Sequence, residues 1–327
     1  MTVLVTGSAG HLGEAVLRTL RGRGVPARGL DVKRSPYTDC VGSIVDVPFV
    51  SSAMKGIAAV VHTATLHKPH VATHSWQDFV DTNVSGTLRL LEAAVAGGVE
   101  SFIYISTTSV FGSALGEERS GAAAWVTEDL APGPKNIYGA TKLMAENLCE
   151  LTHRKRGLPM MVLRTARFFP EEDDSREIRR EYVTSNVQVV EMLYRRVDIE
   201  DAVSAVLCGL ERARSIGFGR YIVSASTPFT RADMDLLGAD APAVVSRLFP
   251  QCTALFQARG WRMFPRLDRV YVNQRARQEL GWEPRYDFRH ALDCLKSNRE
   301  FRSALSLEVG VKGYHGRTFA EGPYPVE

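Results

Sequence analysis

Near the start of the chain, Thr6-Gly7-Ser8-Ala9-Gly10-His11-Leu12-Gly13 sets a glycine at every third position. It lies between a short apolar run, Thr2 to Thr6, and a helical pattern, Glu14 to Leu20, that turns Ala15, Val16, Leu17 and Leu20 inward. A strand, a glycine turn and a helix in that order constrain the fold more than any other feature of this sequence. Glycine lacks the side chain that would hold a pyrophosphate off the backbone, and the free amides and positive dipole end of the helix attract the anion. Glycine also serves ordinary tight turns through its access to positive φ. The strand before and the helix after favour the phosphate cradle. Gly7, Gly10, His11, Leu12 and Gly13 are the expected dinucleotide contacts.

A second strand, Val25 to Leu30, runs into Asp31, near the separation from the glycines at which dinucleotide folds place an acid on the adenosine ribose. An acid there favours the 2′-hydroxyl of NAD and repels the 2′-phosphate of NADP. Lys33 and Arg34 follow at once, and they either grip a phosphate or stay solvated. NAD is the expected cofactor.

Strand-like and helix-like segments then alternate. Ala58 to Val61, Phe102 to Ser106 and Met161 to Arg164 read as strands, and Trp76 to Ala96 and Asn136 to Arg156 as helices. That order predicts an α/β fold, a doubly wound, Rossmann-type parallel sheet covered on both faces, with a smaller C-terminal α/β substrate lobe. Regularity breaks after Phe169 at Glu171-Glu172-Asp173-Asp174, read as a solvated loop. The expected division is a cofactor domain over residues 1–170 and a substrate lobe over 171–327, with some segments of the second returning to the first. A chain of 327 residues with 45% apolar and 24% charged residues has core enough for this without staples. A net charge of +3 is too small to imply a nucleic-acid or membrane partner. The five cysteines are scattered, never in a CxxC pair, and read as free or buried thiols. With a strand from residue 2 and no long apolar run, neither a signal peptide nor a membrane span is expected, and the default location is the cytoplasm.

In Tyr138-Gly139-Ala140-Thr141-Lys142, the tyrosine and lysine share a helix face at four-residue spacing. An ammonium beside a phenol lowers its pKa from about 10. The phenolate can then accept a hydroxyl proton as hydride leaves the same carbon. The same spacing is common on solvated helices; its position after a glycine turn and a Ser/Thr-rich strand end favours catalysis.

Together these motifs resemble an extended short-chain dehydrogenase/reductase of the NAD-dependent epimerase/dehydratase family, which mostly handles sugar nucleotides. The resemblance covers nearly the whole chain. It includes Ile44-Val45-Asp46-Val47, His62-Thr63-Ala64-Thr65, Asn83-Val84-Ser85-Gly86-Thr87, Ser106-Thr107-Thr108-Ser109-Val110-Phe111-Gly112 and Glu279-Leu280-Gly281-Trp282-Glu283-Pro284. It implies that Thr107, five residues before Gly112, holds the substrate hydroxyl against Tyr138 while Lys142 also fastens the nicotinamide ribose. It places Asp46 and Val47 at the adenine, Ala64, Thr65 and Asn83 beside the cofactor, and His62 in a structural position. It also implies a homodimer through the two long helices.

Departures from the family pattern narrow the reaction. Thr108-Ser109 stands where dehydratases carry Asp-Glu, which disfavours elimination of water. Arg167, ending Leu163-Arg164-Thr165-Ala166-Arg167, replaces the usual asparagine, and Pro170-Glu171 replaces Gly-Pro. Those changes leave room for a smaller, anionic sugar or sugar acid. His67, His70, Thr108, Ser109 and Arg167 are the expected substrate contacts. His70 and His74 could share a face around zinc, but no cysteine or carboxylate has ligand spacing, and no metal is expected. Imidazoles that line a sugar pocket are the preferred reading. Between Arg247 and Arg289, arginines interleave with Trp261, Phe264, Tyr271 and Trp282, a mixture that grips a nucleotide or covers a charged surface. The tail, 311–327, either packs on a neighbour or stays free. The expected activity is hydride abstraction from a sugar or sugar-nucleotide hydroxyl. A nucleotide-sugar epimerase comes first, a net dehydrogenase or reductase second, and a non-catalytic NAD-binding regulator third.

Overall fold

A computed structural model describes residues 2–115, 121–313, 315 and 319. Its strands are β1 (Val3–Thr6), β2 (Ala27–Asp31), β3 (Cys40–Val41), β4 (Ala59–His62), β5 (Ser101–Thr107), β6 (Ala124–Val126), β7 (Met160–Thr165), β8 (Phe218–Val223) and β9 (Arg269–Tyr271). Seven of them form one parallel sheet in the order β3-β2-β1-β4-β5-β7-β8. β1, β4, β5 and β7 are buried along their whole length, as expected of near-continuous apolar runs in a sheet covered on both faces. Alternate side chains serve opposite layers. Val3, Val5, Val61, Ile103 and Leu163 pack with helices His11–Gly22 and Ile199–Ile216. Leu4, Val60, Phe102, Tyr104 and Val162 pack with helices Gly86–Ala96 and Ile137–Arg156.

The strand order reverses between β1 and β4, whose ends lie side by side through Thr6 and His62. That reversal opens a crevice at the carboxyl ends of the strands, where such sheets bind their ligands. The long helix beginning at Trp76 is interrupted. An α-helical turn, Trp76–Phe79, passes into a π-helix, Val80–Ser85, before the α-helix resumes at Gly86. Apolar spacing across Trp76 to Ala96 does not reveal the inserted wide turn, which carries Asn83 and, as π-bulges often do, sits beside the site.

A further core, with Val189, Leu193, Phe249, Phe256, Phe288 and Leu292, gathers mostly later segments and the small parallel pair β6–β9. Helix Ile199–Ile216 and β8 return to the main sheet, where β8 pairs with β7 from Met160↔Phe218 to Thr165↔Val223. Trp282 is completely buried and donates from Nε1 to the Asp201 carbonyl at 3.1 Å.

The acidic run is not a solvated loop. Glu171 and Asp173 are buried; Glu171 takes His11 at 2.7 Å and Asp173 takes Arg167 at 2.5 Å. Consecutive carboxylates read as solvated because their cationic partners are contributed by other segments. No described helix is long and apolar enough to cross a membrane, and all five cysteines are free. Most of the 311–327 tail lies outside the described residues.

Candidate active site

A cavity of about 790 Å³ opens over the ends of β1, β4, β5 and β7. At one end stands the glycine turn. Gly7 has φ +72°, and a Cβ there would sit 2.5 Å from Thr63 Oγ1; a Cβ on Gly13 would sit 2.0 Å from the Gly7 carbonyl oxygen. The helix His11–Gly22 starts at Gly10 with no side-chain cap, and Gly10, His11, Leu12 and Gly13 all line the cavity. The orphan amides of a helix start are thus presented with no side chain in the way, which fits a pyrophosphate. Gly13→Ala is expected to cost about 1–3 kcal/mol by overpacking the turn. A lowered melting temperature together with a lost NAD-dependent rise would show it.

Asp31 ends β2 at the cavity wall, accepting from Ala9 N at 3.0 Å and Lys33 N at 2.8 Å. These bonds set the carboxylate beside the turn, and Lys33 and Arg34 line the same wall. Ala64 and Thr65 line it as well.

Three residues expected at the cofactor, Asp46, Val47 and Asn83, are not among those that line the cavity. Asp46 caps the helix Val47–Ala53 by accepting from Phe49 N at 3.1 Å, Val47 is exposed, and Ser43 and Ile44 line the cavity in their place. A helix start needs an acceptor, and Oδ1 of Asp46 provides one. Asn83 is buried one layer out. Its Oδ1 accepts from Thr65 Oγ1 and Leu66 N at 2.9 and 2.8 Å, and its Nδ2 donates to Leu66 O and Thr141 Oγ1 at 2.9 and 3.0 Å. It therefore ties the loop after β4 to the helix of Tyr138 and Lys142. His62 is likewise internal, between Thr6 Oγ1 at 2.7 Å and Thr87 Oγ1 at 3.0 Å.

Thr107, Tyr138 and Lys142 all line the cavity, and Thr107 hydrogen-bonds Tyr138. Asn136 caps the helix of Tyr138 and Lys142 by accepting from Gly139 N at 3.0 Å. Thr107 closes β5 and accepts from Ser109 N at 3.1 Å. Lys142 does not act on the phenol in the way the spacing suggests. Its Nζ donates to the Ile105 carbonyl at 2.6 Å and lies 4.1 Å from the centre of the Tyr104 ring. Burial holds that amine down to about 7. Burial also pushes Tyr138 up to about 12, against the hydrogen bond with Thr107. Spacing along a helix brought the pair to one face, but the tertiary packing chose the lysine's partner.

His67, with its ring 6.4 Å from that of Tyr138, and Phe169, 5.5 Å from His67, form one wall. Burial, with His70 nearby, keeps His67 well below its ordinary range and hence neutral. His70, Thr108 and Ser109 line the cavity too. Arg167 does as expected but is also bound from behind, by Asp173 at 2.5 Å and Glu191 at 3.3 Å. Among the described residues no three histidine, cysteine or acidic side chains group as metal ligands.

Sequence reasoning missed Lys68, Arg195 and Lys312 in the lining, which also takes Arg269 and Tyr271 from the stretch read as gripping a nucleotide or covering a charged surface. Lys68 stood between two singled-out histidines, and Arg269 in the arginine and aromatic stretch. Arg195 carries no local signal. Burial, with Arg167 nearby, holds Lys68 down to about 8.

A doubly wound sheet with a glycine cradle at its switch point, a threonine at a strand end and a tyrosine and lysine four residues apart on a helix defines the extended short-chain dehydrogenase/reductase class. The chain belongs to the NAD dependent epimerase/dehydratase family, whose pattern matches residues 3–223. A dTDP-glucose 4,6-dehydratase of Streptomyces antibioticus is 28% identical over 344 residues, covering 93% of this chain and 95% of that protein. A UDP-glucose 4-epimerase of Azospirillum brasilense is 28% identical over 172 residues, 50% of this chain and 47% of that one. An NAD-dependent glucose-6-phosphate dehydrogenase of Haloferax volcanii is 28% identical over 180 residues, 50% and 66% of the two chains. Two other relatives are matched over only 40% and 56% of their own length. A short-chain dehydrogenase/reductase superfamily protein of Agrobacterium tumefaciens, solved with bound NAD, shares the fold with a TM-score of 0.64 at 24% identity, over 91% of this chain and 100% of that one.

Proposed function

We propose that this chain is an NAD-dependent oxidoreductase that removes hydride from a sugar hydroxyl, with Tyr138 as base, in an epimerase cycle. The carrying observation is the burial of Thr107, Tyr138 and Lys142 around one cavity that also contains the glycine cradle and Asp31. NAD bound along that cavity would supply the hydride acceptor. Thr107 Oγ1 orients the substrate hydroxyl, and Tyr138 Oη takes its proton. Lys142 Nζ, held on the carbonyl of Ile105 two residues before the end of β5, adds positive charge to the cavity while protonated. The neutral His67 ring and Phe169 keep water from the reacting carbon. Thr108 and Ser109 carry no carboxylate to drive elimination, which supports oxidation and reduction over dehydration.

A nucleotide-sugar substrate is the reading supported by the names of relatives, and in an epimerase the hydride returns to the opposite face of the keto sugar. A net dehydrogenase, which releases the oxidised product, is the second reading. A smaller substrate is favoured by the lining: beyond residue 174, the described residues contribute only Arg195, Arg269, Tyr271, Lys312 and Gly313. The lobe from residue 171 serves as the substrate side in either case. The exposed Trp76, Leu88, Met144 and Leu151 on the two long helices fit the homodimer, and the cytoplasm is the working location.

Denaturing freshly purified protein and identifying the released nucleotide tests the proposal. Near-stoichiometric NAD is expected for an epimerase that recycles a trapped cofactor; empty protein that takes up NAD reversibly selects the dehydrogenase. NADP would overturn the role given to Asp31, and no nucleotide binding at all would overturn the proposal.

A further inference from the structure

The helix Ile137–Arg156 carries a buried glutamate that proton and hydride transfer do not use. Tyr138, Lys142 and Glu146 follow one another at four-residue spacing, so they occupy successive turns of one face, each about 6 Å further along the axis. All three reach the last residues of β5. Thr107 hydrogen-bonds Tyr138, the Ile105 carbonyl accepts from Lys142 Nζ at 2.6 Å, and Ser106 between them donates from Oγ to Glu146 Oε1 at 2.5 Å. Glu146 is not among the residues that line the cavity, and none of its surface is exposed.

The carboxylate is also held from a third element. Arg164 stands opposite Ser106 in the β5–β7 register and grips Glu146 with two nitrogens, Nη2 to Oε2 at 2.8 Å and Nε to Oε1 at 3.1 Å. Arg220 of β8 brings its Nε to 3.5 Å from Oε2. The Ser106 carbonyl in turn accepts from Thr165 Oγ1 at 2.9 Å. A guanidinium fork on a carboxylate fixes direction as well as distance. Replacing a buried ion pair by apolar packing is often neutral for stability, so stability is a weak reason for Glu146 to stand here. Geometry is a stronger one. Ser106 is the single residue between the carbonyl that holds Lys142 and the hydroxyl that meets Tyr138, and a rotation there would displace both.

The other titratable groups about Lys142 are Tyr138 and Cys149 on its own helix, Tyr104 on β5, His62 at the end of β4 and His67 in the loop after it. Burial pushes the two phenols and the thiol up and the two imidazoles down, which leaves all five neutral at neutral pH. Glu146 is then the one carboxylate acting on the amine among the described residues, and with the Ile105 carbonyl it favours the ammonium against burial.

We propose that Glu146 is a positioning residue: through Ser106 and Arg164 it locks the end of β5, so that the Ile105 carbonyl stays on Lys142 Nζ and Thr107 stays on Tyr138. This deepens the oxidoreductase reading above and rests on it.

A pH titration of full-length protein carrying isotopically labelled lysine, followed by carbon NMR with the Lys142 signal assigned by its loss in Lys142→Arg, tests the lock without a substrate. Ser106→Ala removes the hydroxyl and leaves the ion pair in place. It is expected to lower the Lys142 midpoint by about half a pH unit or more, about a threefold shift toward the neutral amine, because a loosened carbonyl gives less to the charged form. Glu146→Gln is expected to lower it further, since the negative charge goes as well and Arg164 loses its partner. A merely structural role would lower the melting temperature of the variants and leave the midpoint at its wild-type value. An unchanged midpoint in Ser106→Ala overturns the proposal, even where Glu146→Gln fails to fold; an unchanged midpoint in folded Glu146→Gln overturns it as well. Protein that binds NAD but shows no shift loses the positioning role alone, whereas protein that shows the shift and binds no NAD retains the lock and loses the oxidoreductase reading.

Discussion

Tyr138→Phe is expected to lower turnover by about 10²–10⁴, the usual contribution of a positioned acid–base group, with NAD affinity nearly unchanged. The variant keeps the ring that packs near His67 and removes only the oxygen. Near-normal turnover in a steady-state assay would take Tyr138 out of the mechanism. The environment also predicts a pH dependence for the wild type. Burial sets the free phenol at about 12, so its proton is held at neutral pH, and the rate of oxidation should rise as pH rises. Thr107→Val would remove the hydrogen bond that opposes burial and should shift that rise to still higher pH. Lys142, at about 7, loses its charge well below the phenol's value, so a change in the profile near neutral pH reports the lysine and the continued rise above it the tyrosine.

Glu191→Gln is expected to destabilise the protein by about 3–5 kcal/mol, because it keeps the shape but strands buried positive charge. Three arginines converge on this carboxylate, two within 2.8 Å, and none of its surface is exposed. A comparable change at Glu200, whose partner Arg285 is mostly solvent-exposed, should cost no more than about 1 kcal/mol. Urea denaturation of the two variants separates the cases, and equal midpoints would refute the assignment. Burial pushes the Glu191 carboxyl up, but Arg195, Arg196 and Arg167 together outweigh it and hold it at about 2. A carboxyl lower in the folded state than in the unfolded chain stabilises above the unfolded value. This contribution is therefore fully present above about 4.5 and is lost as pH falls toward 2, and the glutamine variant should lack that part of the acid transition.

Local chemistry made much of the site legible. The glycine turn, Asp31 and the Tyr138/Lys142 pair act through short-range features, namely backbone room, a strand end and one helix face, and all line the cavity. Asp46 and Asn83 mark the limit of such reading. Both stand in family motifs, yet neither lines the cavity: Asp46 caps a helix through Oδ1, and Asn83 braces the loop after β4 against the helix of Tyr138. The π-turn was illegible because an extra residue in one turn leaves the apolar spacing on either side intact.

By itself, the sequence determined the parallel α/β architecture, the phosphate cradle and the hydroxyl-bearing strand end, since each follows from periodicity or from side-chain size over a few residues. The tertiary structure alone decided which charges are spent on one another. Glu171 and Asp173 looked solvated until His11, Arg167 and Arg195 were brought to them, and Lys142 looked bound to Tyr138 until Ile105 offered its carbonyl. Electrostatic pairing depends on distance and burial between segments remote in sequence, and only the folded chain supplies either.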